Sequence, residues 1–257
     1  MFINNFDPVA FTILSLEIRW YSLAYIFGIL IGWYLSKKFF IDNDKIKETF
    51  DDYITYIIVG IILGGRLGYV FFYDFSYYFN NPLEIFQIWN GGMSFHGGLL
   101  GVILASILFS KSKNLDVFEF LDVIAIVTPV GLFLGRIANF INSELYGKAT
   151  EVIWSVKFLK VDEIYRHPSQ LYEAFLEGIV LFVILIFVKK RSKNLNPGYI
   201  SGIFLIFYSI FRFICEFYRV PDEQIGYLLL NLTLGQIISI IFLAIGITIF
   251  SLKNEKK

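Results

Sequence analysis

Apolar residues in this chain gather into long runs separated by short polar stretches. Seven runs stand out, near residues 20–36, 53–73, 93–110, 120–140, 171–188, 199–217 and 232–252. About 20 mainly apolar residues in a helix cross a hydrocarbon core of about 30 Å, so each run predicts a transmembrane helix. Two polar stretches are longer than a turn requires. Residues 74–92, DFSYYFNNPLEIFQIWNGG, mix aromatics with Asn, Pro and Gly, which suits a segment lying at the membrane interface. Residues 141–170 are the sizeable water-exposed piece, and within them TEVIWSVKFLKVDEIY predicts one or two short strands by its Val, Ile and Trp content and partial alternation. The expectation is an all-α polytopic membrane protein, a single membrane domain over residues 1–257 with about seven helices and a small extracytoplasmic head.

Composition agrees with that class. The chain is 56% apolar, with 29 Phe and 16 Tyr, and its mean hydropathy is +0.64. A net charge of zero becomes informative only when the charges are assigned to sides. With the amino terminus outside, the inner segments hold 13 of the 22 basic residues, among them Lys37, Lys38, Lys111, Lys113, Lys189, Lys190 and Arg191, and the outer segments hold 6. The positive-inside rule therefore predicts N-out and C-in, consistent with an odd number of spans. Asp7, Glu17 and Arg19 precede the first span without a small-residue cleavage pattern, so that span reads as a retained anchor. The single cysteine, Cys215, excludes an intramolecular disulfide framework, and its place in the sixth run predicts a buried spectator. The two histidines, His96 and His167, join no cluster with metal-ligand spacing, and nothing indicates a cofactor or nucleic-acid binding.

The candidate chemistry lies in three arginines inside apolar runs, Arg66, Arg136 and Arg212. A charged side chain near the bilayer centre costs about 2.5 to 3.5 kcal/mol on insertion scales, so an anionic partner is expected. Counted from the inner ends of their spans, all three lie about 13 to 16 residues deep, roughly 20 to 24 Å across at 1.5 Å per residue, in the outer half of the bilayer. Tyr21, His96 and the polar series Asn139, Asn142 and Glu144 fall at the same level, so a cationic, polar site beneath the outer headgroups is expected. Plainer readings stand beside this one. Glu216 follows Arg212 by four residues, and the two could neutralise one another. Arg66 lies among Gly64, Gly65 and Gly68, where close helix packing is an alternative. Arginine forks suit phosphate, and an imidazole of pKa about 6.5 such as His96 suits proton removal near neutral pH.

Several motifs resemble those of the bacterial prolipoprotein diacylglyceryl transferases. They are GRIANFINSELYG at 135–147, WYSLAY at 20–25, GGRLGYV at 64–70, SFHGG at 94–98, RHPSQLYEA at 166–174 and FRFICEFYRVPD at 211–222. The matches occur in the family's order over nearly the whole chain. The resemblance implies transfer of the diacylglyceryl group of phosphatidylglycerol to the thiol of a preprolipoprotein lipobox cysteine, releasing glycerol phosphate. It also implies a plasma-membrane protein with seven spans, N-out and C-in, and no cofactor or metal. Residues matching the family's functional positions are Tyr21, His96, Arg136, Asn139, Glu144, Gly147, Tyr208, Arg212 and Glu216. His96, Arg136, Arg212, Tyr21, Glu144 and Asn139 are taken as catalytic. Arg136, Arg212, Arg66, Tyr208, Glu216, Gly147 and Asn142 are taken as substrate-binding. Lys148 stands where the family often has arginine, which keeps the charge but loses the fork. The expected partners are phosphatidylglycerol, the signal-peptide lipobox and membrane lipids, with the protein acting as a monomer.

An anionic-lipid or anion transporter without covalent chemistry is the alternative class. The halves show no inverted repeat or paired Gly/Pro-broken helices to support it. A voltage sensor would repeat arginines along one helix, and here each run holds one.

Overall fold

The computed structural model describes residues 1–191, 195–221 and 226–254. Lys193, Lys256 and Lys257, counted above with the inner basic residues, and Asp222, the last residue of the FRFICEFYRVPD run, lie outside them. In chain order the elements are β1 (Phe2–Asn4), β2 (Val9–Ile13), β3 (Leu16–Arg19), α1 (Trp20–Phe40), α2 (Asp44–Phe72), α3 (Phe75–Asn80) and α4 (Phe95–Lys113). They continue with α5 (Val117–Asn142), β4 (Val156–Phe158), β5 (Tyr165–Arg166), α6 (Ser169–Arg191), α7 (Tyr199–Glu216) and α8 (Leu234–Asn254). Six of these helices, α1, α2 and α5 to α8, are long and apolar enough to cross a membrane. The 19-residue α4 occupies the place of the third expected span. The protein is thus a largely helical, multi-pass membrane protein with about seven spans.

The chain divides into two compact units, Ile41–Leu121 and the remainder. In the smaller unit α2 starts earlier than its apolar run suggests. Asn43 caps it by accepting from Lys45 N at 3.0 Å, so Lys45 and Lys47 belong to the helix rather than to a loop. At 29 residues α2 is about 44 Å long, more than a bilayer core requires. Glycines determine how it meets α4. A Cβ on Gly64 would come within 2.9 Å of the Gly101 Cα, and one on Gly68 within 2.7 Å of the Gly97 Cα. Small residues four apart let the two backbones touch, the usual means of close helix association in lipid. Tyr53, Phe109 and Phe120 form an aromatic core in this unit, and Tyr53 Oη lies 2.9 Å from Ser106 Oγ.

In the larger unit, Ala125, Ile126, Leu181, Leu185, Ile200 and Ile203 build the apolar core. Asp122 reaches from α5 to the start of α7 and accepts from Gly198 N, Ser201 N and Ser201 Oγ at 2.8, 2.8 and 2.6 Å. The carboxylate satisfies amide donors that the first turn of a helix leaves open. The expected strands of the head are β4 and β5, and a third joins them: β1 pairs in parallel with β4, giving the order β1-β4-β5. Asn4, fully buried, donates to Phe140 O at 2.7 Å and ties this sheet to the end of α5. An antiparallel hairpin, β2 with β3, leads directly into α1.

Candidate active site

α5, α6 and α7 bring a set of ionisable side chains together. Arg136 of α5 places Nε 2.7 Å from Glu173 Oε2 and Nη2 3.4 Å from Glu177 Oε2. Arg212 of α7 places Nη1 2.7 Å from Glu173 Oε1 and 3.9 Å from Glu177 Oε1, and its Nη2 meets Glu216 Oε1. Arg219 Nη1 adds a contact of 3.7 Å to Glu216. One carboxylate, Glu173, therefore bridges two guanidinium groups from different helices. Its contacts are close in distance but lie off the N–H directions, because neither Glu173 oxygen, Arg136 Nε nor Arg212 Nη1 makes an aligned hydrogen bond. The fork-to-fork geometry that makes arginine–carboxylate pairs strong is not reached there.

Local structure explains how α6 delivers two carboxylates. Glu173 and Glu177 are four residues apart and share one helix face. The segment Ala174–Val180 is π-helical, an irregularity that recurs at functional sites. The start of α6 is stitched to the loop after α5, with Gln170 Nε2 donating to Glu144 O at 2.6 Å and Ser169 Oγ to Leu145 O at 2.9 Å. Glu216 is held from the other side by Thr233 Oγ1 at 2.7 Å. Thr233 and Gln236 form a reciprocal cap of α8, at 3.0 and 3.2 Å, which directs the helix N-terminus toward that carboxylate.

The expected polar series is also assembled. Asn139 and Asn142 donate to the two oxygens of Glu144 at 3.1 and 3.2 Å, and the chain turns through left-handed Ser143 and Leu145 to allow it. Tyr208 stacks on Phe204 with centroids 5.7 Å apart, and Tyr21 meets Tyr25 edge-on at 5.2 Å. Gly147 lies between two chain segments. It donates to His167 O at 3.0 Å, and a Cβ there would approach Tyr218 O to 2.8 Å, so this glycine answers to backbone crowding. Lys148 Nζ lies 5.8 Å from the Tyr227 ring centroid. His167 Nδ1 is 3.0 Å from Tyr172 Oη, and partial burial lowers its pKa. Asp162, bonded to Arg166 Nη2 at 2.5 Å, is held below the usual carboxylate range by that hydrogen bond.

In the smaller unit, Arg66 is buried and its guanidinium faces the chain's own carbonyls. Nε donates to Ile85 O at 2.8 Å, Nη1 to Gly91 O and Gly92 O at 2.6 and 3.2 Å, and Nη2 to Glu84 O and Gln87 O at 2.5 and 3.4 Å. Five donors thus meet five carbonyls, a full complement for arginine. These contacts fasten the 84–92 segment to α2 and occupy the donors that the expected substrate-binding role of Arg66 would draw on. His96 is exposed on the first turn of α4, whose cap Ser94 accepts from Gly97 N at 3.2 Å.

From the sequence, a cationic site is expected at the arginines. Among the described residues, Arg136, Arg212 and Arg219 face Glu173, Glu177 and Glu216, so the cluster is balanced. Neither Glu173, which falls within the RHPSQLYEA motif, nor Glu177 is among the residues expected from the sequence to build the site. Their signal was present, since two glutamates one turn apart in an apolar run are themselves intramembrane ionisable groups. Among the described residues no group of three or more His, Cys, Asp or Glu side chains is arranged to hold a metal ion.

The model of a protein family described as prolipoprotein diacylglyceryl transferase matches residues 8–252. The chain is 49% identical over 256 residues, 98% of each chain, to the phosphatidylglycerol–prolipoprotein diacylglyceryl transferase of Rickettsia felis. It is equally 49% identical, over 98% of each chain, to the protein of the same name from Rickettsia akari. The Rickettsia canadensis protein of that name is 49% identical over 250 residues, 96% of each chain.

Proposed function

The chain belongs to the prolipoprotein diacylglyceryl transferase family, and from that premise we propose that Arg136 and Arg212 hold the phosphate of phosphatidylglycerol while a cysteine thiol of the prolipoprotein attacks. The protein is a transferase acting in the first step of lipoprotein maturation, with phosphatidylglycerol and prolipoproteins as its substrates. The acceptor in our reading is the lipobox cysteine. Its sulfur forms a C–S bond to the glycerol carbon that carries the phosphate, the C–O bond at that carbon breaks, and glycerol phosphate departs with the electron pair.

Two requirements follow from that chemistry. A thiol of pKa about 8.5 must lose its proton, and the leaving phosphate must be met by positive charge as its bond breaks. The observation that carries the reading is the convergence of Arg136 and Arg212, from α5 and α7, on the single carboxylate of Glu173. Their side chains remain 15% and 12% exposed, whereas those of Glu173 and Glu177 are fully covered, so the accessible surface of the cluster is guanidinium rather than carboxylate. Asn139, Asn142 and Glu144 form the polar wall at the end of α5, and Tyr208, Tyr21 and Glu216 complete the substrate surface in this assignment. His96 takes the thiol proton. The protein acts as a monomer, with its amino terminus outside the plasma membrane and its carboxyl terminus inside.

Glycerol phosphate release by the purified protein, given phosphatidylglycerol and a lipobox peptide, tests this assignment. Arg136→Lys, which keeps the charge but loses the fork, is expected to lower kcat/KM by about 100-fold or more, as loss of a transition-state charge contact does. A peptide with serine in place of cysteine should give no product. Near-normal turnover by Arg136→Lys would remove the phosphate role, and near-normal turnover by His96→Gln would remove the base.

A further inference from the structure

We infer that Glu173 is a positioning residue that sets the spacing and orientation of the two arginines for the reacting phosphate. The inference rests on the phosphate role proposed for Arg136 and Arg212. Three observations support it. Glu173 Oε2 and Oε1 each lie 2.7 Å from a nitrogen of a different arginine, one on α5 and one on α7. The neighbouring Glu177 spans the same pair only at 3.4 and 3.9 Å, so Glu173 is the tighter link between the helices. Glu173 is also fully buried while the side chains of both arginines stay partly exposed.

Charge balance sharpens the reading. Neutralising the arginines for membrane insertion requires only negative charge nearby, at any distance that Glu177 or Glu216 also reaches. A carboxylate shared between two guanidinium groups does something more, because it fixes the distance between them. Its contacts at Arg136 use Nε, and those at Arg212 use Nη1, so Arg136 Nη1 and Arg212 Nε are not used in bridging Glu173. A phosphate oxygen placed between two arginines held in this way would find donors already oriented, which is how preorganised charge lowers a barrier.

Glu173 also places a negative charge next to the phosphate, so its two effects on catalysis have opposite signs. Removing it should weaken the geometry required as the C–O bond breaks and at the same time relieve repulsion of the bound lipid. The test is steady-state kinetics on the full-length protein in detergent micelles containing phosphatidylglycerol, with a lipobox peptide as acceptor and thermal unfolding followed in parallel. Glu173→Gln is expected to lower kcat by about tenfold or more while KM for phosphatidylglycerol stays level or falls. Glu177→Gln, on the looser carboxylate, is expected to change kcat by less than Glu173→Gln. Should Glu173→Gln fail to fold, Glu173→Asp gives the same reading, because it keeps the charge but is one methylene too short to span both arginines.

Unchanged kcat in a folded Glu173 variant would overturn the inference. So would a rise in KM with kcat intact, or equal losses from Glu173→Gln and Glu177→Gln. The phosphate reading fails in a different way, through Arg136→Lys and Arg212→Lys variants that keep normal KM and kcat whatever Glu173 does.

Discussion

An arginine in an apolar segment needs partners for its charge and its donors, and the arginines of this chain find them in two different ways. Arg136 and Arg212 both meet Glu173 through poorly aligned contacts, while each donates one aligned hydrogen bond to a second carboxylate, Glu177 or Glu216. Arg66 is instead saturated by the carbonyls of Glu84, Ile85, Gln87, Gly91 and Gly92, and its guanidinium carbon lies 4.9 Å from the Tyr78 ring centroid. Removing it leaves several partly buried carbonyls without their donor, each hydrogen bond contributing about 1 kcal/mol. Arg66→Ala should therefore accelerate amide exchange in residues 84–92 by roughly tenfold or more, since 1.4 kcal/mol is a factor of ten. Exchange at wild-type rates in that segment would show that the guanidinium does not hold it. From the sequence, all three arginines looked alike, because a residue's type and depth carry no record of which acceptors fold around it. The same holds for Glu173 and Glu177, whose spacing marks a pair of intramembrane carboxylates but does not say which arginines they meet.

Helices and strands were legible to different degrees, and the difference follows from the range of the interactions that form them. The spans declare themselves through local runs of apolar residues, and their ends move with features that a run does not show, as when Asn43 caps α2 back at Asp44 and a π-helical turn carries α1 on to Phe40. Strands β4 and β5 were visible as Val- and Ile-rich alternation, but β1 was not, since its three residues pair with a segment more than 150 positions away. Asp122 belongs to the same class of long-range device. It caps α7 from α5 across 76 to 79 positions, accepting two backbone amides and a hydroxyl. Asp122→Ala removes three acceptor contacts from a half-buried helix start and should destabilise the protein by about 1 to 3 kcal/mol. A thermal unfolding midpoint unchanged in detergent would show that the α7 cap is dispensable. Asp122→Asn, which keeps an acceptor oxygen, is expected to lose less.

At the scale of the whole molecule, orientation is the property that links charge placement to chemistry, because a donor lipid and an acceptor peptide must reach the same end of the helices. Lys37 and Lys38 near the end of α1, Lys111 and Lys113 at the end of α4, Lys189, Lys190 and Arg191 at the end of α6 and Lys253 near the end of α8 place basic residues at recurring helix termini. The cluster of Arg136, Glu173 and Arg212 lies near the end of α5, the start of α6 and the end of α7, and on α6 that start is the terminus opposite Lys189, Lys190 and Arg191. Positive charge is retained on the cytoplasmic side, so the rule that sorts these termini also predicts that the reacting site faces the outer leaflet. Single-cysteine labelling in cells checks this directly, starting from a Cys215→Ser background that removes the buried native thiol. Ile153, 82% exposed in the head, and Ser112, exposed near the end of α4, provide the two probes. A membrane-impermeant maleimide should label the Ile153→Cys protein in intact cells and the Ser112→Cys protein only after permeabilisation. The reverse pattern would put the arginine cluster on the cytoplasmic side, and a lipobox cysteine reached from outside could not be its substrate.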